Sequence, residues 1–392
     1  MLRTVSLVLT LTLSCIALVQ NSDAANTPAP SSSPVQVAYM LNGSTLTTYN
    51  INPQTLQASD VGTITLPNPG SPDYVPTLVA SPNGRFVYIS VYLNNNDQEE
   101  VYVYDTNASG LPGQSPVQQI KASQLIGVAV DPSGKFLYSV AVGPPGQQLT
   151  TPYSIVRGLI SANNGKLSQP VTEAKYLLDS DPSGNDCYLA VLGFNGAGTT
   201  MYDGIFCSGP HASGSATYNQ RSVDPQTGAL GPDQQVYVDS SYAGSESANV
   251  QFEGDLFFAF IAYFNQGPNA NLVDVYQMPN DSTPVISCGA SMLAVCGDFT
   301  HASAHPSGKY VFLTDPTNVT DIGTVNLSTE QITQTGSIPY PVQEFSPDGT
   351  IAYAVNDGDG EIDIYGFNAA TGGVTQGGSF SDLGYLFTAE RK

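Results

Sequence analysis

Tryptophan is absent from the 392 residues, cysteine occurs five times, and 11 Lys and Arg stand against 33 Asp and Glu. Charged residues make up 11% of the chain, where a soluble protein ordinarily carries about 25%. So few Glu, Lys and Arg cannot coat amphipathic helices, which argues against an α-bundle or coiled coil. Clustered cations, needed to displace counterions from phosphates, are missing, so nucleic acids and anionic lipid surfaces are poor partners. No C-x-x-C occurs, which removes support for zinc or thioredoxin-type chemistry. Nor is there a G-x-S-x-G elbow, a Walker loop, a dinucleotide fingerprint or H-E-x-x-H, and no cofactor or metal is expected. The formal charge of −22 serves solubility or draws in cations and basic ligands, and is silent on fold.

What is abundant is β-forming. Val, Ile, Thr, Tyr and Phe recur between clusters drawn from 38 Gly, 28 Pro and many Asn and Asp, and all-β is the class this predicts. The N-terminus reads differently: Met1-Leu2-Arg3 is followed by an apolar run from Val5 to Val19, about 15 residues and too brief to span a bilayer. This pattern is that of a secretory signal peptide occupying residues 1–24, cut after Ser22-Asp23-Ala24. Lipoprotein processing at Cys15 is the alternative, although Ile16 to Val19 continue the apolar core beyond it. Residues 25–34, containing TPAPSSSP, are a Pro/Ser linker. A secreted or periplasmic protein with one domain over 35–392 and no membrane span is expected, as a monomer. In an oxidising compartment Cys187, Cys207, Cys288 and Cys296 suggest disulfides; the pairs 187–207 and 288–296 close short loops, while four cysteines allow three connectivities.

The strongest signal is internal repetition. VPTLVASPNGRFVYISVY (75–92), LIGVAVDPSGKFLYSVAV (125–142), FTHASAHPSGKYVFLT (299–314) and PVQEFSPDGTIAYAV (341–355) are one module, with a divergent copy over 177–191 around Asp181-Pro182-Ser183-Gly184 and a degenerate one around Phe252 to Asp255. Each is a short apolar strand, a turn in which Pro fixes φ and Gly accepts positive φ, and an aromatic strand. Third and fourth strands follow, as in EEVYVYDTN or EIDIYGFN and the segments after them. Seven modules of about 50 residues, counting an N-terminal unit that lacks its first strand, predict a seven-bladed β-propeller of four-stranded antiparallel blades, its ring closed by Leu383 to Glu390 at the C-terminus.

The recurring Pro-Ser/Asn-Gly-Arg/Lys-Phe/Tyr motif, with DPQTGAL (224–230) and NAATGGV (368–374), resembles YVTN-repeat proteins and the lactonase family of seven-bladed propellers, which includes 6-phosphogluconolactonases. The resemblance covers roughly residues 35 to 390. It implies a Pro-Arg-His step on an inner strand, a His-Pro turn and an Asn-Glu step. Here His301 and His305 match, whereas Thr300, Asp315 and Pro316 stand where the family has Arg, Asn and Glu. A lactone hydrolase on this template would use His301 as base, oriented by Asp315, with Arg221 as the cation. The plainer role for His301 is a hydrogen-bonded channel residue, and turn chemistry accounts for His305. His211 and Arg221 fall in a segment from Asn195 to Ser222 read as a long insertion reaching over the ring face. Asp179 and Glu344 are read as lining the channel with negative charge. The preferred function is a binding or scaffold module for a small molecule, glycan or protein on one ring face, and the alternative is a lactonase-type ester hydrolase.

Overall fold

The computed structural model describes residues 35–392 except 69–75, 94–97, 123–124, 142–152, 177–185, 209–214, 240–245, 254–255, 264–270, 278–283, 290–295, 297–298, 357 and 382–383. Twenty-eight strands among the described residues form seven four-stranded antiparallel sheets. Blade 1 holds β1 (Val35–Asn42), β2 (Thr45–Asn52) and β3 (Gln57–Thr65). Blade 2 follows with β4 (Thr77–Ala80), β5 (Phe86–Leu93), β6 (Gln98–Asp105) and β7 (Gln118–Ala122), and blade 3 with β8 (Leu125–Val130), β9 (Phe136–Ala141), β10 (Tyr153–Leu159) and β11 (Val171–Tyr176). Blade 4 comprises β12 (Asp186–Phe194), β13 (Thr200–Ser208), β14 (Ser215–Ser222) and β15 (Gln234–Asp239). Blade 5 comprises β16 (Glu246–Glu253), β17 (Leu256–Tyr263), β18 (Leu272–Gln277) and β19 (Ile286–Gly289). Blade 6 contains β20 (His301–Ala304), β21 (Tyr310–Thr314), β22 (Thr320–Asn326) and β23 (Gln331–Ile338). Blade 7 contains β24 (Val342–Phe345), β25 (Ile351–Asn356), β26 (Glu361–Asn368) and β27 (Gly373–Ser381). The last strand, β28 (Tyr385–Arg391), pairs with β1 and supplies the inner strand of blade 1.

Each inner strand touches the next around the ring, and β24 and β4 both touch β28, so the circle closes. Strand alternation explains why the core lies between blades rather than within them. In β1, Val37, Tyr39 and Leu41 face blade 2, while Ala38 and Met40 face blade 7. In β9, Phe136, Tyr138 and Val140 face blade 4 and Leu137 faces blade 2. A blade with two apolar faces must be covered on both sides, and only a ring leaves none bare. β28 obeys the same logic: Leu386 enters the core shared with blade 7, and Phe387 and Ala389 the core shared with blade 2.

The DPQTGAL-type segments form the turn between third and fourth strands, and they bolt neighbouring blades together. Tyr39, Tyr88 and Tyr138 donate hydroxyl hydrogen bonds to the carbonyls of Gly110, Gly165 and Gly228 in the following blade, at 2.7, 3.2 and 2.5 Å. Gly228 has φ +72°, and a Cβ there would lie 2.7 Å from both the Phe136 ring and Arg157. The slot requires a residue that tolerates left-handed backbone and close approach.

Blade 4 departs from the sequence expectation. β12 begins at Asp186, so Asp181-Pro182-Ser183-Gly184 precedes the blade and does not form its first turn. That turn is Asn195 to Thr199: the Asn195 carboxamide accepts the amides of Thr199 and Thr200 at 2.9 and 3.0 Å, as the Asp131 carboxylate accepts those of Lys135 and Phe136. Gly198 packs on Pro132 as Gly134 packs on Pro82. Asp181-Pro182-Ser183-Gly184 lies outside the described residues; cross-strand pairing decides which turn closes the blade, and Val191, Gly193 and Phe194 pair with Asp203, Tyr202 and Met201. The described part of 195–222 is thus a turn and two paired strands, β13 and β14, and the expected insertion over the face is confined to 209–214, which lie outside the described residues.

Antiparallel order sorts the connections. Turns from first to second and from third to fourth strands lie on one face of the ring, here the lower; second-to-third turns and blade-to-blade connections lie on the upper face.

Candidate functional site

β20 descends into the ring from the upper face, beginning at His301. Its register is fixed by pairing of His301 with Thr314 and by the Thr300 amide donating to the Thr314 carbonyl at 2.7 Å. Ala302 and Ala304 pack into the core shared with blade 5. The alternate residues, His301 and Ser303, therefore turn toward blade 7. Burial pushes the His301 imidazole below its ordinary value, against a smaller opposing effect of the Val342 backbone, so the ring is neutral at pH 7. Its Nε2 is buried without a hydrogen-bond partner, and so is Ser303 Oγ one step deeper, on a side chain 3% exposed.

Blade 7 answers with its third strand. Asp363 pairs with Ala354 and Tyr365 with Ala352, whose side chains face blade 6. The Tyr365 hydroxyl is also buried without a partner, and burial, assisted by the Asp363 charge, pushes it up to about 12. Burial raises Asp363 as well, with repulsion from Glu361 and Asp359 adding to it. Between the two sets runs a hydroxyl chain: Thr314 Oγ1 and Thr320 Oγ1 are 2.7 Å apart, and Thr320 Oγ1 donates to the Tyr340 carbonyl at 2.7 Å. The facing sides of blades 6 and 7 thus carry three unsatisfied polar atoms. Buried polar groups are ordinarily paired, so these atoms, like those of Gln36, Thr48 and Asn50 in blade 1, have room for a further partner such as a ligand or water.

Of the other expected site residues that are described, Asp315 and Arg221 are held by partners of their own. Burial pushes Asp315 up, but hydrogen bonds from Thr317 and Val319 outweigh it and hold the carboxyl below its ordinary value. Its Oδ1 accepts from Thr317 N and Oγ1 and from Val319 N at 2.8, 2.7 and 3.0 Å, capping its own turn. No hydrogen bond joins it to His301 among the described residues. Arg221 lies on β14, the third strand of blade 4, at its lower end. Its Nε donates to Asp203 at 2.9 Å, the two side chains being 5% and 0% exposed, and it also contacts the Tyr176 hydroxyl. It is a structural ion pair two blades from His301, because Arg221 belongs to a paired strand of blade 4. Glu344 is on inner strand β24, paired with Tyr353, and burial pushes its carboxyl up to about 8. Burial thus favours its protonated form over the negative charge expected there. Asp179 and His211 lie outside the described residues.

His305 is a turn residue at the lower end of β20. Its Nδ1 accepts from Ser307 N at 3.0 Å and its Nε2 donates to the Gly349 carbonyl of blade 7 at 2.8 Å, a neutral ring bridging two blades. Burial pushes it down to about 4. Cys288 and Cys296 are disulfide-bonded. Cys187 and Cys207 stand opposite each other in the β12–β13 register, and their side chains lie outside the described residues. Ser303, Asp363 and Tyr365 were not singled out from the sequence, although EIDIY places Asp363 and Tyr365 on one side of a strand.

With this geometry in hand, the comparisons with solved structures are direct. A candidate 6-phosphogluconolactonase from Bacteroides fragilis superposes with TM-score 0.59 at 14% identity, covering 93% of this chain and 100% of its own. The periplasmic gluconolactonase of Pseudomonas aeruginosa gives 0.56 at 12% identity, covering 91% and 98%. The fold is that of a lactonase-like propeller. The lactonase-like ring is shared at still lower identity by apo AztD from Citrobacter koseri, with TM-score 0.52 at 7% identity over 92% and 99% of the two chains. No family model matches the sequence, and no curated protein does. Identities at this level establish the architecture of the lactonase-like propeller, while its chemistry has to be argued from its own residues. No helix among the described residues is long and apolar enough to cross a membrane.

Proposed function

We propose that this protein is an exported binding propeller that holds its ligand, a small molecule, glycan or protein, at the upper mouth of the ring between blades 6 and 7. The observation that carries the reading is the separation of the hydrolytic set. A lactone hydrolase needs a base, a partner to orient it and a donor or cation for the developing oxyanion, all within hydrogen-bond reach of one point. Here Arg221 is committed to Asp203 in another blade and Asp315 to its own turn. The unsatisfied atoms of His301, Ser303 and Tyr365 support binding at the seam. Export is supported by the apolar N-terminal segment and its Ser-Asp-Ala step, and a periplasmic neighbour of the same fold is consistent with it.

The alternative, a lactonase-type hydrolase, is favoured by one feature: a neutral His301 with an unpaired Nε2 is poised to accept a proton. Hydrolysis of a panel of sugar and aromatic lactones by wild type and His301→Ala decides between them. No turnover above the buffer rate is expected. A rate that His301→Ala abolishes, in a protein that still melts cooperatively, would establish the hydrolase.

A further inference from the structure

The charges of this ring are sorted by face. Of the ten Lys and Arg from Val35 onward, Arg85, Lys135, Lys166, Lys309, Arg391 and Lys392 sit on lower-face turns or at the lower end of β28, and Arg157 and Arg221 occupy the lower ends of their strands. Lys121 and Lys175 alone stand toward the upper face. The ion pairs among the described residues, such as Arg85 with Asp105 and Lys392 with Glu390, belong to the lower half accordingly. On the upper face, blades 6 and 7 present Asp315, Asp321, Asp359 and Glu361, with Asp363 buried beneath them, and none of the five pairs with a cation among the described residues. Neutral donors hold some of them: Gln334 donates to Asp321 at 2.6 Å, Asn356 to Asp359 at 3.0 Å and Ser379 to Glu361 at 2.5 Å. The carboxylates repel one another, Asp315 acting on Asp321 and both Glu361 and Asp359 on Asp363.

An acidic rim alone identifies nothing, since solvated carboxylates are common on acidic proteins. The second observation lies at its inner margin. His301 Nε2 and Ser303 Oγ on blade 6, and the Tyr365 hydroxyl on blade 7, are buried and unpartnered, and the Asp363 charge acts on Tyr365. The neutral imidazole and the carboxylates all offer acceptors. A ligand rich in N–H donors and carrying positive charge would satisfy both the acceptors and the field, and an anion would satisfy neither.

We infer that the upper face over blades 6 and 7 docks a basic peptide segment of a partner protein, with one Lys or Arg side chain directed into the His301–Tyr365 seam and its neighbours along Asp359, Glu361 and Asp363. The inference rests on the upper mouth being the binding site and adds the charge class of what binds there. An extended basic peptide fits better than a single small cation because the acidic rim spans two blades.

The test is fluorescence anisotropy of a fluorescein-labelled oligolysine peptide with the full protein at about 20 mM and about 200 mM salt, where screening of exposed charges differs strongly. Saturable binding at low salt that weakens at high salt is expected. The triple variant D359N/E361Q/D363N should bind about tenfold more weakly, while D105N/D233N/E330Q, which removes the same number of charges from the lower face, should stay within about twofold of wild type. Zero-length carbodiimide cross-linking of the wild-type complex, mapped by mass spectrometry, should join peptide lysines to Asp359 or Glu361, a result that needs no variant to fold. Absence of binding, equal losses in the two triples, or cross-links on the lower face would overturn the inference. So would spermidine displacing the peptide as well as an unlabelled peptide does, since the site would then be one for small polyamines. Failure with oligolysine leaves a neutral ligand at the mouth untouched. That broader reading fails instead if His301→Ala abolishes lactone turnover.

Discussion

Ring closure by β28 makes a quantitative prediction about the C-terminus. Phe387 is 6% exposed and Leu386 8%, and they enter two different inter-blade cores, whereas Tyr385 is 39% exposed. Phe387→Ala removes a buried ring and leaves a cavity, a change that costs about 3–5 kcal/mol in protein cores, and Leu386→Ala about 2–5 kcal/mol. Tyr385→Ala should cost no more than about 0.5 kcal/mol, as surface changes do. At an unfolding entropy of about 2.1 cal/mol/K per residue over the roughly 358 residues from Val35 onward, a 3 kcal/mol loss lowers the melting temperature by about 4 °C. Far-UV circular dichroism melts and urea titrations followed by tyrosine emission, undisturbed because tryptophan is absent, measure both quantities. Truncation after Ser381 removes the whole seven-residue ladder with β1 and leaves the cores on both sides of blade 1 open. Its transition should broaden or vanish, and a synthetic peptide of residues 383–392 should restore it. A truncated chain melting cooperatively at the wild-type midpoint, or equal effects at Tyr385 and Phe387, would refute the closed ring.

Other expectations follow from the same geometry. Gly228→Ala should destabilise by about 2–3 kcal/mol, combining positive φ with collision against Phe136, whereas Gly43→Ala, with φ +57° and nothing within 4 Å, should cost only about 1 kcal/mol; urea midpoints separate the two. His305 is held neutral in the fold, its value pushed down to about 4, so the unfolded chain binds a proton first as pH falls below about 6.5, and stability is lost between there and about 4. His305→Ser, the residue used in this slot by blades 2 and 7, should flatten that limb of the stability–pH curve. Glu344 gives the opposite sign: its value is raised to about 8, so the stability it contributes is fully present below the unfolded value near 4.5 and is lost as pH rises from there through about 8, and Glu344→Gln should flatten the curve over that window. Arg221→Ala should cost about 3–5 kcal/mol by leaving Asp203 buried and unpaired, with no effect on ligand binding at the upper mouth. Non-reducing peptide mapping should recover the 288–296 link and, from the β12–β13 register, a 187–207 link; a scrambled pattern would contradict the second.

The architecture was legible because a propeller writes its blade seven times. Ser81, Asp131, His305 and Ser346 occupy the same turn slot with the same backbone hydrogen bonds, and each spelling could be read from its neighbours. Legibility failed where a blade abandoned the spelling. In blade 4 Asn195-Gly-Ala-Gly-Thr makes the turn without proline, while Asp181-Pro182-Ser183-Gly184 matches the motif from outside the blade. The site was less readable than the fold. His301 was visible as a histidine at the head of an inner strand, but Asp315 and Arg221 were placed beside it by family analogy, and whether two side chains meet depends on which strand of which blade carries them. Ser303 and Tyr365 gave no signal at all. A serine and a tyrosine in strands look like packing until the absence of a hydrogen-bond partner distinguishes them.

The strand that lines the axis in the first blade is synthesised after the other twenty-seven described strands. During translation β1 emerges early with one side unpartnered, and six further blades must be made before its mate exists. The chain therefore grows as an open arc, and the ring is completed in one event, when β28 emerges, not by gradual accretion. Any process that halts elongation early, or holds back the final residues, delivers an arc with two bare flanks.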